Sequence, residues 1–431
     1  MKHLRGRALW FTGQPDGEHH PDVHFLDDAV ITLDGMHIHS VLPFSSFIAA
    51  GGTPQQVEDL RPAIIMPGFV DTHIHYPQMD IIGSYGTQLL EWLDNYAFPA
   101  EQRYADPEYA HAQARGFLER LFEAGTTTAL TFTTVHPHST DALFQAATSC
   151  NARIIAGKVL MNRNAPPGLT DPDDAADTNR ELLERWHGQG RLRYAITPRF
   201  AITCDDQQLR RAGELLAEHP GVYLHSHIAE HPDEIAATLA LFPQADNYAD
   251  VYDRFGLLTD HSIFAHGIHL SDPELQRFAS SGSKVSFCPS SNLFLGSGLL
   301  DLARLAAFGV ELGVGSDVGG GTGFSMLATL ADGYKVNQLR NHNWHPMQAF
   351  YAITRGGARS LHLEDKIGTL AAGMEADLVV LDPARGSMLA QRVAQAQTLT
   401  EELFAYLFLG ADHGVAATYV AGQPQYQRKA A

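Results

Sequence analysis

Between residues 63 and 317, short apolar and β-branched runs alternate eight times with helical stretches. The runs lie at 63–75, 126–133, 153–160, 192–197, 222–227, 262–266, 284–288 and 310–317. Most are bounded by Gly, Pro or polar residues, the pattern of strands covered on both faces. Eight strand–helix units in about 250 residues match the arithmetic of a (β/α)₈ barrel. An open doubly wound sheet has similar units, since strand count does not prove closure. The polar residues favour the barrel. His73 and His75, Arg199, His227, His266 and Asp317 all stand at or just past the C-terminal ends of these runs, where barrels of this class carry their active sites.

The flanks read differently. Apolar runs within 23–41, the run LVVLD at 378–382 and the segment 417–421 before Gly422-Gln423-Pro424 are short strands with turns. Neither flank is long enough for a core of its own. We expect them to combine into one small β-sandwich from residues 1–62 and 370–431, with the barrel, 63–369, inserted between them.

Composition narrows the partners. The 431 residues carry a formal net charge of −19, which disfavours nucleic acid, whose binding rests on Lys and Arg neutralising phosphates. No apolar run reaches the ~18 residues of a membrane span, and the basic start MKHLRGR lacks a following apolar segment of the signal-peptide type. The three cysteines, Cys150, Cys204 and Cys288, are far apart in sequence. They suggest neither a disulfide framework nor a thiolate metal site, and the expected compartment is the cytoplasm.

The chemistry starts at PGFVDTHIH, residues 67–75. Side chains alternate faces along a strand, so His73 and His75 point the same way and make half of a metal site. Two polar residues leaving a strand are the plain alternative. His227 and Asp317 are the further candidate ligands, and nitrogen and oxygen donors without thiolate suit zinc or a similar divalent ion. His225 shares a strand face with His227 and competes for the role. His227 is preferred because Glu230 follows it by three residues, where a carboxylate can move protons between a water and a substrate nitrogen. A surface Glu opening a helix is the bland reading of Glu230, and a satisfied core histidine that of His266. Arg199 and Phe200, in TPRF, put a forked donor beside an aromatic. Gln78 adds an amide that both donates and accepts.

The ordered set of motifs resembles the amidohydrolase superfamily, and within it the guanine deaminase family. The superfamily traits are the HxH, the later His227 and His266, the Gly-Ser-Asp ending at Asp317, and GTLAAGMEADL at 368–378. The narrower traits are PGFVDTHIHYPQ (67–78), LLEWL (89–93), Phe98-Pro99-Ala100-Glu101, AGTTTAL (124–130), TPRF (197–200), CPSSNLFLGSG (288–298) and the turn DVGGG from Asp317. The resemblance implies that His73, His75, His227 and Asp317 hold one zinc ion per chain. It implies catalytic roles for Glu230, His266 and Asp317. It places the substrate against His75, Gln78, Arg199, Phe200, His227, Glu230 and Asp317, with Gln78 and Arg199 on the O6 and N7 side of a purine.

The implied activity is hydrolytic deamination of guanine to xanthine and ammonia by a zinc-activated water, in purine catabolism. The partners expected are a small-molecule substrate and a second copy of the chain in a homodimer, with no nucleic acid and no membrane. The competing reading is a deaminase of another purine, such as 8-oxoguanine, or of a pyrimidine or a triazine. A dinuclear hydrolase would need a lysine on the fourth strand, which instead ends in TPRF. Lys158, on the third, reads as structural. A non-catalytic descendant would have lost ligands that this chain keeps. A nucleic-acid deaminase would carry an HxE and PCxxC signature, which is missing.

Overall fold

The computed structural model describes residues 1–86, 88–171 and 175–429. Four strands lead the chain: β1 (Lys2–Phe11), β2 (Val23–Asp34), β3 (His37–Pro43) and β4 (Val57–Pro67). The barrel strands follow as β5 (Phe69–His75), β6 (Thr126–Phe132), β7 (Arg153–Gly157), β8 (Val159–Leu160), β9 (Arg193–Pro198), β10 (Tyr223–Ile228), β11 (Ser262–His266), β12 (Lys284–Phe287) and β13 (Leu312–Val314). Three more close the chain: β14 (Leu378–Leu381), β15 (Val415–Val420) and β16 (Gln423–Gln427).

The barrel strands pair in parallel in the order β13-β12-β11-β10-β9-β7-β6-β5, with β8 beside β9. Every residue of β5, β6 and β7 is buried. These are strands with helices outside and packed side chains inside, which is why they read as continuous apolar runs. The two ends of the ladder meet where Asp317 N donates to His73 O at 2.9 Å and His75 N to Val318 O at 3.2 Å. The result is an eight-strand, near-closed barrel. Val70, Leu130, Ile155, Ala195, Tyr223 and Ile263, one from each of six neighbouring strands, cluster with Ala358 and Leu361. That layer and the helix Arg355–Ser360 plug one end, so the strand C-termini at the other end are free to form a cleft.

The flanking strands form a seven-stranded sheet, order β16-β15-β14-β4-β1-β2-β3. Its pleat faces two cores. Ile64, Met66, Val379 and Leu381 join the large core of the barrel and its helices. Ala63, Ile65, Leu378 and Val380 join Leu4, Ala8 and Ile31 in a smaller one. Ile38 N donates to Met374 O at 2.8 Å, bringing the β3 edge back to the segment before β14. The sheet thus curls around its own small core, as in a sandwich.

Three of the expected strands differ. The run at 63–75 is not one strand: it breaks at Gly68 and passes from the flanking sheet into the barrel. Gly68 N bonds Asp377 O at 2.8 Å, and a Cβ at Gly68 would lie 2.2 Å from Thr127 Oγ1. Both halves are buried on both faces, so no change of pattern marks the switch. We propose a division of the chain that follows it, with the N-terminal flank running to Pro67 rather than to residue 62. The run at 153–160 is interrupted at Lys158, whose ammonium forms a buried ion pair with Asp171. The eighth strand is shorter than expected, Leu312–Val314. Beyond it the chain turns toward β5 and presents Asp317.

Candidate active site

The first histidines end β5. Asp71, on the same strand, accepts from His73 N and Ser316 N, each at 3.1 Å, and from the Ser316 hydroxyl. It therefore ties the first barrel strand to the segment carrying Asp317. His73 Nε2 and His75 Nε2 stand 3.1 and 3.2 Å from Asp317 Oδ1. His75 Nε2 is 3.2 Å from both His73 Nε2 and His227 Nε2. One donor atom from each of His73, His75, His227 and Asp317 thus falls within a sphere of contacts no wider than 4.8 Å. His227 Nδ1 donates to Arg199 O at 2.7 Å, which leaves the Nε2 lone pair facing the cluster. His225 does not join: its Nε2 lies 2.8 Å from His73 Nδ1, behind the cluster.

Electrostatics suit a cation here. Burial holds the imidazoles of His73, His75 and His227 below their ordinary range, His75 at about 3 despite Asp317. Burial would raise the Asp317 carboxyl, but the surrounding imidazoles, His73 first, hold it well below the usual carboxylate range. Neutral imidazoles and an ionised carboxylate are the protonation states that bind a metal.

Glu230 is the next group inward. Burial, then the charge of Asp317, push its carboxyl up to about 8, against the Ser297 hydroxyl, which donates to Oε1 at 2.8 Å. His266 Nε2 is 3.3 Å from Glu230 Oε2 and 3.9 Å from Asp317 Oδ2. Its Nδ1 is 2.8 Å from Asn292 Oδ1. Three non-glycine residues of this region have left-handed backbones, namely Ala229 (φ 48°), His266 (φ 73°) and Asp317 (φ 50°). Such conformations cost energy and cluster at functional sites. The turn after Asp317 closes with Gly321 N on Asp317 O. It needs glycine, since a Cβ at Gly321 would sit 1.8 Å from Ser316 O.

Gln78, Arg199 and Phe200 line the same cleft, together with Leu89, Trp92 and Leu295. Of the site residues preferred from the sequence, all but His73 line it, and His73 belongs to the four-residue cluster whose other members do. The competing His225 does not line it.

Sequence reasoning assigned no role to four further residues. Ser297 and Asn292 hold Glu230 and His266. Glu234, also in the cleft wall, accepts from Glu230 N at 2.8 Å. Glu101 accepts from both Gln78 and Arg199. Glu101, Asn292 and Ser297 all sit in motifs that carried the resemblance, which was the available signal.

A family model described as the amidohydrolase family matches residues 64–424. The chain is 47% identical to guanine deaminase of Escherichia coli over 374 residues, covering 86% of this chain and 85% of that protein. Its fold superposes on a solved E. coli guanine deaminase with a TM-score of 0.96, 43% identity and full coverage of both chains. A guanine deaminase from C. acetobutylicum, solved with guanine in its active site, matches with a TM-score of 0.88 and 27% identity, over 99% of this chain and 100% of that one. The chain belongs to the amidohydrolase family and groups within it with the guanine deaminases.

Proposed function

We propose that the cleft binds guanine and hydrolyses it to xanthine and ammonia. The observation that carries the reading is the pairing, in one small cleft, of a buried three-histidine, one-aspartate cluster with the Gln78 and Arg199 amide and guanidinium. The guanine deaminases among its relatives support it, one of them solved with guanine bound.

His73, His75, His227 and Asp317 would hold one divalent ion, and their nitrogen and oxygen donors suit zinc. Bound there, the ion supplies Lewis acidity and lowers the pKa of water. The chain's own groups do the rest. Water adds to C2, and Asp317 with His266 takes up its proton. Glu230, whose raised pKa keeps a proton on it near neutral pH, gives that proton to N3. The ionised Glu230 then takes the proton of the new C2 hydroxyl and passes it to the amine, so that the C2–N bond breaks as the C2 carbonyl forms and ammonia leaves. The proton held by Asp317 and His266 returns to Glu230. Ser297 and Asn292 hold Glu230 and His266 for these transfers. Leu89, Trp92, Phe200 and Leu295 line the cleft with apolar surface for a flat ring.

The test is the absorbance change from guanine to xanthine with equimolar ammonia release by zinc-loaded protein. Absence of turnover overturns the reading. Including 8-oxoguanine, a pyrimidine and a triazine separates it from its competitor. No helix among the described residues is long and apolar enough to cross a membrane. A cytoplasmic homodimer is the expected form of the enzyme, and sedimentation of the purified chain tests the dimer.

A further inference from the structure

Gln78 and Arg199 come from different elements, and one carboxylate holds both. Glu101, in the short helix Phe98–Gln102, is fully buried. Its Oε1 accepts from Gln78 Nε2 at 2.9 Å and from Arg199 Nη1 at 2.8 Å, and its Oε2 accepts from the same Nη1 at 2.7 Å. A carboxylate that bonds a guanidinium is ionised and can only accept, so the face of the Gln78 amide turned to it must be the NH₂. The closer Glu101 contact, at 2.9 Å, sets the orientation of that amide against the 3.3 Å approach of His75 Nδ1 to the same nitrogen. Among the described residues Gln78 Oε1 has no partner, and Gln78 lines the cleft. The same contacts engage one nitrogen of Arg199. Its Nε and Nη2 have no protein partner among the described residues, and Arg199 lines the cleft as well.

We propose that Glu101 sets the donor–acceptor polarity of ligand recognition: it turns one acceptor, Gln78 Oε1, toward the ligand beside the remaining donors of Arg199. A ring that fits carries an N–H next to a carbonyl. This rests on the guanine reading and deepens it, because guanine has such an edge at N1–H and C6=O. The placement agrees with the reaction. N1 adjoins C2, and the Gln78 amide stands 3.3 Å from His75 Nδ1, beside the cluster. Glu230 then faces N3, on the other side of C2. A 6-aminopurine presents the reverse edge, with an acceptor at N1 and an amino group at C6. It would set acceptor against acceptor and donor against donor, a mismatch that buried sites reject strongly. Glu101 touches no ligand in this account. It is a positioning residue acting through Gln78 and Arg199.

The test compares native protein with E101Q and the exchanged pair E101Q/Q78E, all metal-loaded. An amide in place of the Glu101 carboxylate must turn an NH₂ to one of the two positions that now only accept. It therefore no longer compels the Gln78 NH₂ to face it, and the Gln78 amide is free to turn over and show the ligand a donor. In E101Q, KM for guanine should rise about tenfold to a hundredfold while kcat changes by less than about threefold, the split expected when ground-state and transition-state binding are lost alike. In the exchanged pair, the carboxylate introduced by Q78E accepts from the amide introduced by E101Q and again shows the ligand an acceptor, so KM should fall back by about tenfold. Hypoxanthine has the same edge and no 2-amino group, so its binding reports on the edge without turnover. Native protein should prefer it to adenine, and E101Q should narrow that preference. The proposal is overturned if native protein binds adenine as well as hypoxanthine, if KM in E101Q stays within twofold of native, or if the exchanged pair recovers nothing. A native enzyme with the hypoxanthine preference but no guanine turnover would overturn the guanine reading and leave the role of Glu101 standing.

Discussion

On one side of the cleft, three imidazole nitrogens and a carboxylate oxygen converge with their lone pairs inward. On the other, the carboxylate of Glu101 is surrounded by the N–H groups of Gln78 and Arg199. The first arrangement lacks a positive charge and the second already contains one. Their supports differ too. The cluster rides on strand ends, β5 and β10, and on the segment after β13. The ligand side is carried by the 3₁₀ turn Tyr76–Ile81 and the helix Phe98–Gln102, with Arg199 just past β9. Rigid strands hold the groups that must meet at a shared point, and shorter elements hold the groups that must match a ligand edge.

The contrast predicts which variants lose chemistry and which lose selectivity. The largest effect should come from His227→Ala. Removing one of four ligands should leave less than one equivalent of metal by elemental analysis and lower kcat by about a thousandfold or more. A variant that keeps a full equivalent and near-native turnover would break the assignment of the cluster. Glu230→Gln comes next. It should retain metal and bind ligand but lose about 10²- to 10⁴-fold in kcat, the usual range for a lost acid–base group. If turnover stays near native, Glu230 is not the proton carrier.

These two predictions rest on residues legible in the sequence, and the reason is geometric. HxH needs only strand alternation, and His227 and Asp317 stand at or just past strand ends that apolar runs reveal. The break at Gly68 was not legible, because Ile64, Met66, Val70 and Ile74 are all fully buried and the pattern never changes across it. Lys158 looked structural from its place in a strand, but its partner Asp171 lies thirteen residues on, in a loop that no periodicity marks. Glu101 reads locally as an acidic residue in the first turn of a short helix, an ordinary dipole partner. Only the fold shows that two donors reach it from residues 78 and 199. Ser297 is similar, one of several serines in CPSSNLFLGSG until Glu230 is found beside it.

Ser297→Ala sharpens the contrast on a smaller scale. Ser297 donates to Glu230 Oε1, and its own carbonyl oxygen lies 2.8 Å from His269 Nε2. Losing the hydroxyl should lower kcat by about tenfold, a cost of about 1–2 kcal/mol in the range of one buried hydrogen bond. KM and metal content should hold, because neither the cluster nor the Glu101 side is touched. A change in KM with kcat intact would move Ser297 from the chemical side of the cleft to the binding side.

Glu234 gives the smallest effect, on stability rather than on rate. Its carboxyl accepts from Glu230 N, His231 N and the Tyr248 hydroxyl. Burial nonetheless raises its pKa from 4.5 to about 7, against the lowering effect of the Tyr248 bond. An acid whose pKa is higher in the folded state binds its proton more tightly there. Its contribution is therefore most favourable below pH 4.5 and is lost as pH rises through about 7. Glu234→Gln keeps an acceptor for the two backbone N–H groups and can donate to Tyr248 Oη, so the geometry survives without the titration. The thermal midpoint of native protein should fall relative to the variant between pH 4.5 and about pH 7, the window set by the same pKa pair. Parallel curves across that window would mean that Glu234 stays ionised in the folded protein. The three hydrogen bonds would then outweigh burial, and Glu230 would have a permanent negative charge beside it.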